Sequence, residues 1–278
     1  MYRRNKDAEG EQCSVYPDPL FQPTPWFRDL FPDYRELPPH EVPAGYDSGC
    51  EFTSVCVNIQ VYLPWLASQC LKEGVAFTRA CATHISDASS LGHAGQKADV
   101  VVNATGLGAG KLGGVRDGNV VPARGQIVLV RNAAPHMVAT SGTDDERTDV
   151  CYVMTRAAGG GTVLGGTYHV GNWDAIPRED VAERIMRRAV EIVPELVKPG
   201  QGVEGLDVVR HGVGLRPVRH GGVRLEREDV EDEEGRKIVV VHNYGHGGWG
   251  YQGSYGCAER VVELVEEVKR GKAFQSKL

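Results

Sequence analysis

His242-Asn243-Tyr244-Gly245-His246-Gly247-Gly248-Trp249-Gly250-Tyr251-Gln252-Gly253-Ser254-Tyr255-Gly256 separates two readable elements. Before it, Lys237-Ile238-Val239-Val240-Val241 is short, β-branched and unbroken by polar residues, the pattern of a strand buried on both faces. After it, Ala258, Val261, Val262, Val265 and Val268 recur at helical spacing, with Glu259, Glu263, Glu266, Glu267 and Lys269 turned outward. Glycines at 245, 247, 248, 250, 253 and 256 fill the junction, more than a turn requires. A backbone without Cβ atoms can approach a flat ligand closely. The helix beyond it offers unpaired N–H groups and a partial positive charge. Strand, glycine loop and helix N-terminus therefore predict a cradle for an electron-rich group.

Bulk properties narrow the possibilities. A length of 278 residues holds one large or two modest domains. The net charge of −6 argues against nucleic-acid binding through phosphate contacts. No apolar run approaches a membrane span, and no secretory signal pattern opens the sequence. Seven cysteines without C-x-x-C spacing suggest reduced thiols in an intracellular compartment. Nine histidines show no metal-ligand spacing; His242 and His246 are read as loop residues, so no metal is expected. The final Ser276-Lys277-Leu278 matches a peroxisomal address read by an import receptor, with 271–275 as its exposed tail.

Along the chain, residues 1–12 are polar and expected to fray. Residues 17–43 carry eight prolines among Trp26, Phe27, Phe31 and Tyr34, an irregular segment whose aromatics need burial. Residues 62–71 read as a helix with Pro64 in its first turn and Gly74 ending it, and 75–82 as a strand. Residues 98–106 read as a buried parallel strand entering a glycine turn, 124–130 as another strand, and 151–155 with 162–168 as a hairpin. Val181, Ile185, Ala189, Ile192 and Leu196 mark an amphipathic helix with Glu179 and Asp180 at its start. Residues 206–209 and 223–226 read as strands, and acidic 228–234 as a solvated loop.

Two G-x-G-x-x-G matches fail as dinucleotide fingerprints. After Gly108, Gly110 and Gly113 come Gly114, Gly118 and Pro122, which forbid the required helix. After Gly245, Gly247 and Gly250 too little chain remains for a βαβ unit and its ribose-binding acid.

Taken in order, VVNATGLGAG (101–110), RGQIVLV (124–130), GGTYHVGNW (165–173), RHGVGLRPVR (210–219) and HNYGHGGWGYQ (242–252) resemble the FAD-dependent D-amino-acid oxidases and their D-aspartate oxidase relatives, from about Trp26 onward. The resemblance implies FAD as cofactor, and a D-amino acid and O2 as substrates. It implies transfer of a hydride from the α-carbon to the flavin, release of hydrogen peroxide, and hydrolysis of the imino acid to a 2-oxo acid and ammonia. It leaves a homodimer open. Members of the family begin with a Rossmann βαβ unit that holds the ADP half of FAD. This chain has no counterpart and resembles a fragment, a truncated gene model or a diverged form. The implied fold is α/β: an incomplete Rossmann-like FAD-binding domain over 51–123 and 215–278, interleaved with a mixed or antiparallel-sheet substrate domain over 124–214, with the proline-rich segment 1–50 packed nearby.

The same resemblance implies roles. Arg216 would grip the substrate carboxylate, since a guanidinium fork matches a carboxylate bidentately; on the residues alone it is a surface arginine among Arg210, Arg219 and Arg224. Tyr168 would hydrogen-bond the same carboxylate and Tyr152 would cover the substrate; without the resemblance both are core aromatics. The Gly248 carbonyl would accept from the substrate amine, and Gln252 matches a further active-site position. Gly247, Gly248, Trp249, Gly250, Tyr251 and Gln252 would contact the flavin, Ala104, Thr105 and Gly106 would form a second cofactor-contacting turn, and Ala82 would lie near the adenine. An uncharged Tyr168 favours neutral or aromatic D-amino acids over D-aspartate, which needs another cation. A reading from another class is a remnant unable to hold FAD, with 100–102 or 239–241 left as an unpaired sheet edge.

Overall fold

The computed structural model describes residues 1–7, 21–92, 97–146, 148–232 and 235–275. In chain order the elements are β1 (Tyr2–Arg3), β2 (Arg35–Glu36), β3 (Ser48–Glu51), α1 (Ile59–Lys72), α2 (Asp87–Ser90), β4 (Val100–Asn103), β5 (Val120–Val130), β6 (Val138–Ala139), β7 (Asp149–Thr155), β8 (Thr162–Thr167), β9 (His169–Val170), α3 (Glu179–Ile192), β10 (Val208–Arg219), β11 (Arg224–Glu231), β12 (Lys237–Tyr244) and α4 (Ser254–Gln275). Among the described residues the result is a mixed α/β chain with three sheets. It divides into two compact units, Met1–Ala67 with Arg124–Leu215, and Ser68–Ala123 with Arg216–Leu278.

The first unit is built on a sheet ordered β10-β5-β8-β7-β6, with β9 beside β5. β7 and β8 form the expected hairpin, and its turn closes through Arg156 N–H donating to Gly161 O at 2.8 Å. α3 lays Val181, Ala182, Ile185, Met186 and Ala189 against Val128, Val130, Val153 and Leu164, so its apolar stripe and the inward faces of the strands make one core. Arg188 on the same helix is buried, and its charge is met by Asp149 at 2.9 Å and by Asp145.

The start of the chain is not frayed over the described residues 1–7. β1 pairs with β3 in a small sheet ordered β1-β3-β2, and Arg4, 5% exposed, donates to Asp7 and Asp144. Residues 8–12 lie outside the described set. In the proline-rich stretch Phe27 is fully buried among the rings of Trp26, Phe31, Tyr34 and Phe52, whereas Trp26 itself is 63% exposed.

In the second unit β12 is central to a sheet ordered β11-β12-β4. It pairs antiparallel with β11 (Val241 with Arg227) and parallel with β4 (Val241 with Val102). Among the described residues β4 has no strand on its other side, so 100–102 rather than 239–241 is the open edge. α4 covers this sheet with Leu264 and Val268 buried.

Several element boundaries differ from the sequence reading. α1 begins at Ile59, which places Pro64 in the second turn; as expected, Gly74 ends it at φ 83°, with Gly74 N–H bonded to Leu71 O and Val75 N–H to Cys70 O. Residues 75–82 form no strand; among the described residues no strand pairs with them. Residues 228–231 are not a loop but the end of β11, whose acidic side chains are tolerable because a strand alternates them with inward positions. β12 runs on to Tyr244, so His242 is a strand residue, fully buried, and not part of the glycine loop. α4 starts at Ser254, making Tyr255 and Gly256 helical, and it buries Leu264 while Val262 is 55% exposed and Ala258 also faces solvent.

Candidate active site

The residues singled out by sequence divide between the units. Tyr152 and Tyr168 belong to the first, on and just beyond the β7–β8 hairpin. Tyr152 pairs with Gly165, and its ring occupies the space that side chains at Gly165 and Gly166 would need; the Tyr152 hydroxyl lies 2.7 Å from where a Gly166 Cβ would sit. Tyr168 donates its backbone N–H to Thr148 O at 3.1 Å. Both side chains are half-buried.

The second unit gathers the remainder. Because β4 and β12 are parallel and in register, with Asn103 beside His242, their carboxyl ends release two loops side by side. One is the turn at Ala104, Thr105 and Gly106; the other is the glycine loop leading to α4. Open α/β sheets bind ligands at that end. The last residues of β10 brace both loops. Pro217 O accepts the N–H of Gly247 at 2.8 Å, Val218 bridges His246, and Pro217 Cβ packs 3.6 Å from where a Cβ at Gly106 would lie. Arg216, next in the strand, brings its Cδ within 3.8 Å of a Cβ position at Gly248. Arg216 and the glycine loop are thus adjacent. Ala82 packs beside Ile85, Val101, Leu112 and Val240 in the same unit.

The loop surface is open. Gly248, Trp249, Gly250, Tyr251, Gln252, Ala104 and Thr105 are all exposed. Among the described residues the N–H groups of Gly248, Gly250, Tyr251 and Gln252 make no hydrogen bond, leaving four donors ahead of the first turn of α4.

Beneath the loops lies a polar network that the sequence reading missed. His242 Nε2 is 2.9 Å from Glu228 Oε2, and its Nδ1 is 3.1 Å from Asn103 Nδ2. Tyr244, 1% exposed, donates to Asp117 at 2.9 Å and accepts from Arg224 at 3.0 Å; Arg219 donates to Asp117 at 2.7 Å. Burial pushes the His242 imidazole below its ordinary pKa, and Arg224 adds to this against the opposing pull of Glu228. Burial likewise lowers His246. Burial alone would raise Asp117, but Arg219, the N–H of Asn119 and the Tyr244 hydroxyl outweigh it and hold this carboxyl below its usual range. The signal available in the sequence was the two-residue spacing of Val240, His242 and Tyr244, which puts all three on one buried face.

A family model described as DAO, FAD dependent oxidoreductase, matches residues 26–264. The chain belongs to this DAO family of FAD-dependent oxidoreductases. It is 58% identical over 278 residues to a D-amino-acid oxidase of Fusarium vanettenii, covering 100% of this chain and 75% of that one. A D-amino-acid oxidase of Schizosaccharomyces pombe is 37% identical over 84% of this chain and 64% of its own length. A D-aspartate oxidase of Cryptococcus neoformans var. grubii is 35% identical over 86% of this chain and 69% of its own. The chain thus spans between about two thirds and three quarters of the length of these relatives.

Membership implies FAD, and the residues present fit it. The four unpaired N–H groups are donors suited to an electron-rich ring edge, and no atom stands closer than 3.6 Å to a Cβ position at Gly106, Gly248 or Gly250. A planar group can therefore meet backbone at all three.

Proposed function

We propose that the protein catalyses the oxidative deamination of neutral or aromatic D-amino acids: D-amino acid, O2 and water give a 2-oxo acid, ammonia and hydrogen peroxide. The observation that carries this reading is the placement of Arg216 beside the open glycine loop of the second unit, in a chain 58% identical to a D-amino-acid oxidase. FAD, when bound, supplies the acceptor for the two electrons of the substrate C–H bond and passes them to O2. Arg216 binds the substrate carboxylate through two parallel N–H···O bonds and so fixes the α-carbon. The Gly248 carbonyl accepts an N–H of the amine and sets which face of the α-carbon is presented. The resemblance also assigns Tyr168 a hydrogen bond to the carboxylate and Tyr152 the cover of the substrate; both belong to the first unit. Gln252 stands at the loop's far end, beside the donors of Tyr251 and Gly250. The unpaired N–H groups and the N-terminus of α4 favour negative charge on the group that lies against them.

In this reading the second unit is the part of a Rossmann-like FAD-binding domain that this chain contains, and the first is the substrate domain. Ala82, Ala104, Thr105, Gly106 and Gly247 through Gln252 contact the cofactor. Residues 276–278, outside the described set, are read as a peroxisomal address, which suits a producer of hydrogen peroxide.

The test is direct. Purified protein supplied with FAD is expected to turn yellow, retain flavin through gel filtration, and consume oxygen with D-alanine but not L-alanine. Arg216→Lys keeps the charge but loses the fork, and is expected to raise KM and lower kcat/KM by roughly 100-fold, with FAD affinity unchanged. Protein that stays colourless would sink the reading, and a hundredfold preference for D-aspartate would replace the substrate class.

A further inference from the structure

The buried line of side chains under the two loops has its proton positions dictated from one end. Asn103 Oδ1 accepts the backbone N–H of Thr105 at 3.2 Å and the Thr105 hydroxyl at 2.7 Å. A backbone N–H can only donate, so the amide oxygen of Asn103 must face Thr105 and its NH2 must face His242. That NH2 donates to His242 Nδ1, which must then be bare. The one ring proton of a neutral imidazole is left on Nε2, where Glu228 accepts it at 2.9 Å. Each role forces the next, from β11 through β12 and β4 to the turn at Thr105. His242 is 0% exposed and Asn103 is 1% exposed, so water offers neither a substitute partner.

We propose that His242 is a positioning residue for flavin binding: Glu228 holds its proton on Nε2, the bare Nδ1 fixes the Asn103 amide, and Asn103 holds the Thr105 turn in the shape that meets the cofactor. This rests on the functional reading above. It assigns a task to three residues, Glu228, His242 and Asn103, that touch neither substrate nor flavin. Both cofactor-contacting loops follow strands in this relay, so the relay fixes one against the other.

Two substitutions separate this role from mere packing. In His242→Asn the side-chain amide reaches the place of Nδ1 and can accept from Asn103, but it is too short for Glu228. In His242→Gln the amide reaches Glu228 and offers nothing at Nδ1. Asn removes more volume than Gln, so a residue that only fills space would suffer more from Asn. The relay requires the opposite order. Flavin is removed, and FAD is titrated back by fluorescence quenching. His242→Asn should bind within about threefold of the parent, and His242→Gln about tenfold more weakly. Melting temperature should keep the volume order, Asn lower than Gln. A second readout needs no flavin: 15N spectra of the apoprotein at neutral pH should show His242 as the Nε2–H tautomer, and the Thr105 amide resonance should move in His242→Gln but not in His242→Asn.

Equal FAD affinity in the parent and His242→Gln, or weaker binding by Asn than by Gln, would overturn the proposal. So would a His242 ring that is charged or carries its proton on Nδ1. If the parent chain takes up no FAD, the oxidase reading fails instead, and the tautomer and the Thr105 resonance decide the relay alone.

Discussion

Gly245 and Gly248 stand three residues apart in one loop and are glycine for different reasons. Gly245 has φ 92°, and a Cβ there would lie 2.6 Å from Arg219 Cβ. Gly248 has an ordinary backbone and meets only Arg216 Cδ at 3.8 Å. Gly245→Ala is expected to cost on the order of 2–3 kcal/mol of stability in a urea melt. Gly248→Ala should leave the melt unchanged within about 0.5 kcal/mol while weakening FAD or substrate binding. Equal melts for the two variants would contradict this division. The sequence reading saw the glycine cluster as a unit and could not sort it, because φ and close neighbours are tertiary facts. It placed Arg216 by resemblance, and the brace of Pro217 on Gly247 shows why that arginine meets the loop. It misread His242 because a polar residue next to glycines looks like loop, whereas its partners Glu228 and Asn103 come from strands 14 and 139 residues away.

At the scale of elements, what the sequence declared was periodicity, and what it hid was pairing. α3 was legible because Val181, Ile185 and Ala189 repeat at helical spacing, and all three are buried against β7 and β8. Ile185→Ala removes a fully buried side chain from that face and is expected to destabilise the protein by about 2–5 kcal/mol, read as a shifted urea midpoint with an unchanged slope. A loss below about 1 kcal/mol would mean that α3 does not anchor this sheet. β10 was legible only in its first residues. Gly212 and Gly214 look like breaks, yet the strand passes through both, and a Cβ at Gly212 would crowd Ile127 on β5 at 3.3 Å. Conversely, residues 75–82 carry strand-like composition and form none, since β propensity expresses packing against a neighbouring strand.

The whole molecule should answer to pH in two stages. His242 and His246 bind protons less readily folded than unfolded, so below the ordinary histidine value of about 6.5 the unfolded chain takes up more protons. Stability is therefore full above that value and is lost as pH falls through it. Glu228 and Glu226 oppose the loss at His242, while Arg224 and burial drive it. Asp117, Asp144 and Asp145 have depressed values, so their contribution is present above about 4 and is lost on further acidification. Urea melts between pH 8 and pH 3 are expected to show a first decline beginning near 6.5 and a steeper one near 4; a flat profile from 8 to 5 would contradict the histidine part. The fit of Tyr152 over Gly165 and Gly166 has a different reach, into the history of the sequence. A ring on one strand fills the room of two side chains missing from the next, so the order in which such positions can change is constrained. A lineage that first shortens the tyrosine frees the two glycines to vary, whereas one that first gains a methyl at 165 must move the ring before the change is tolerated.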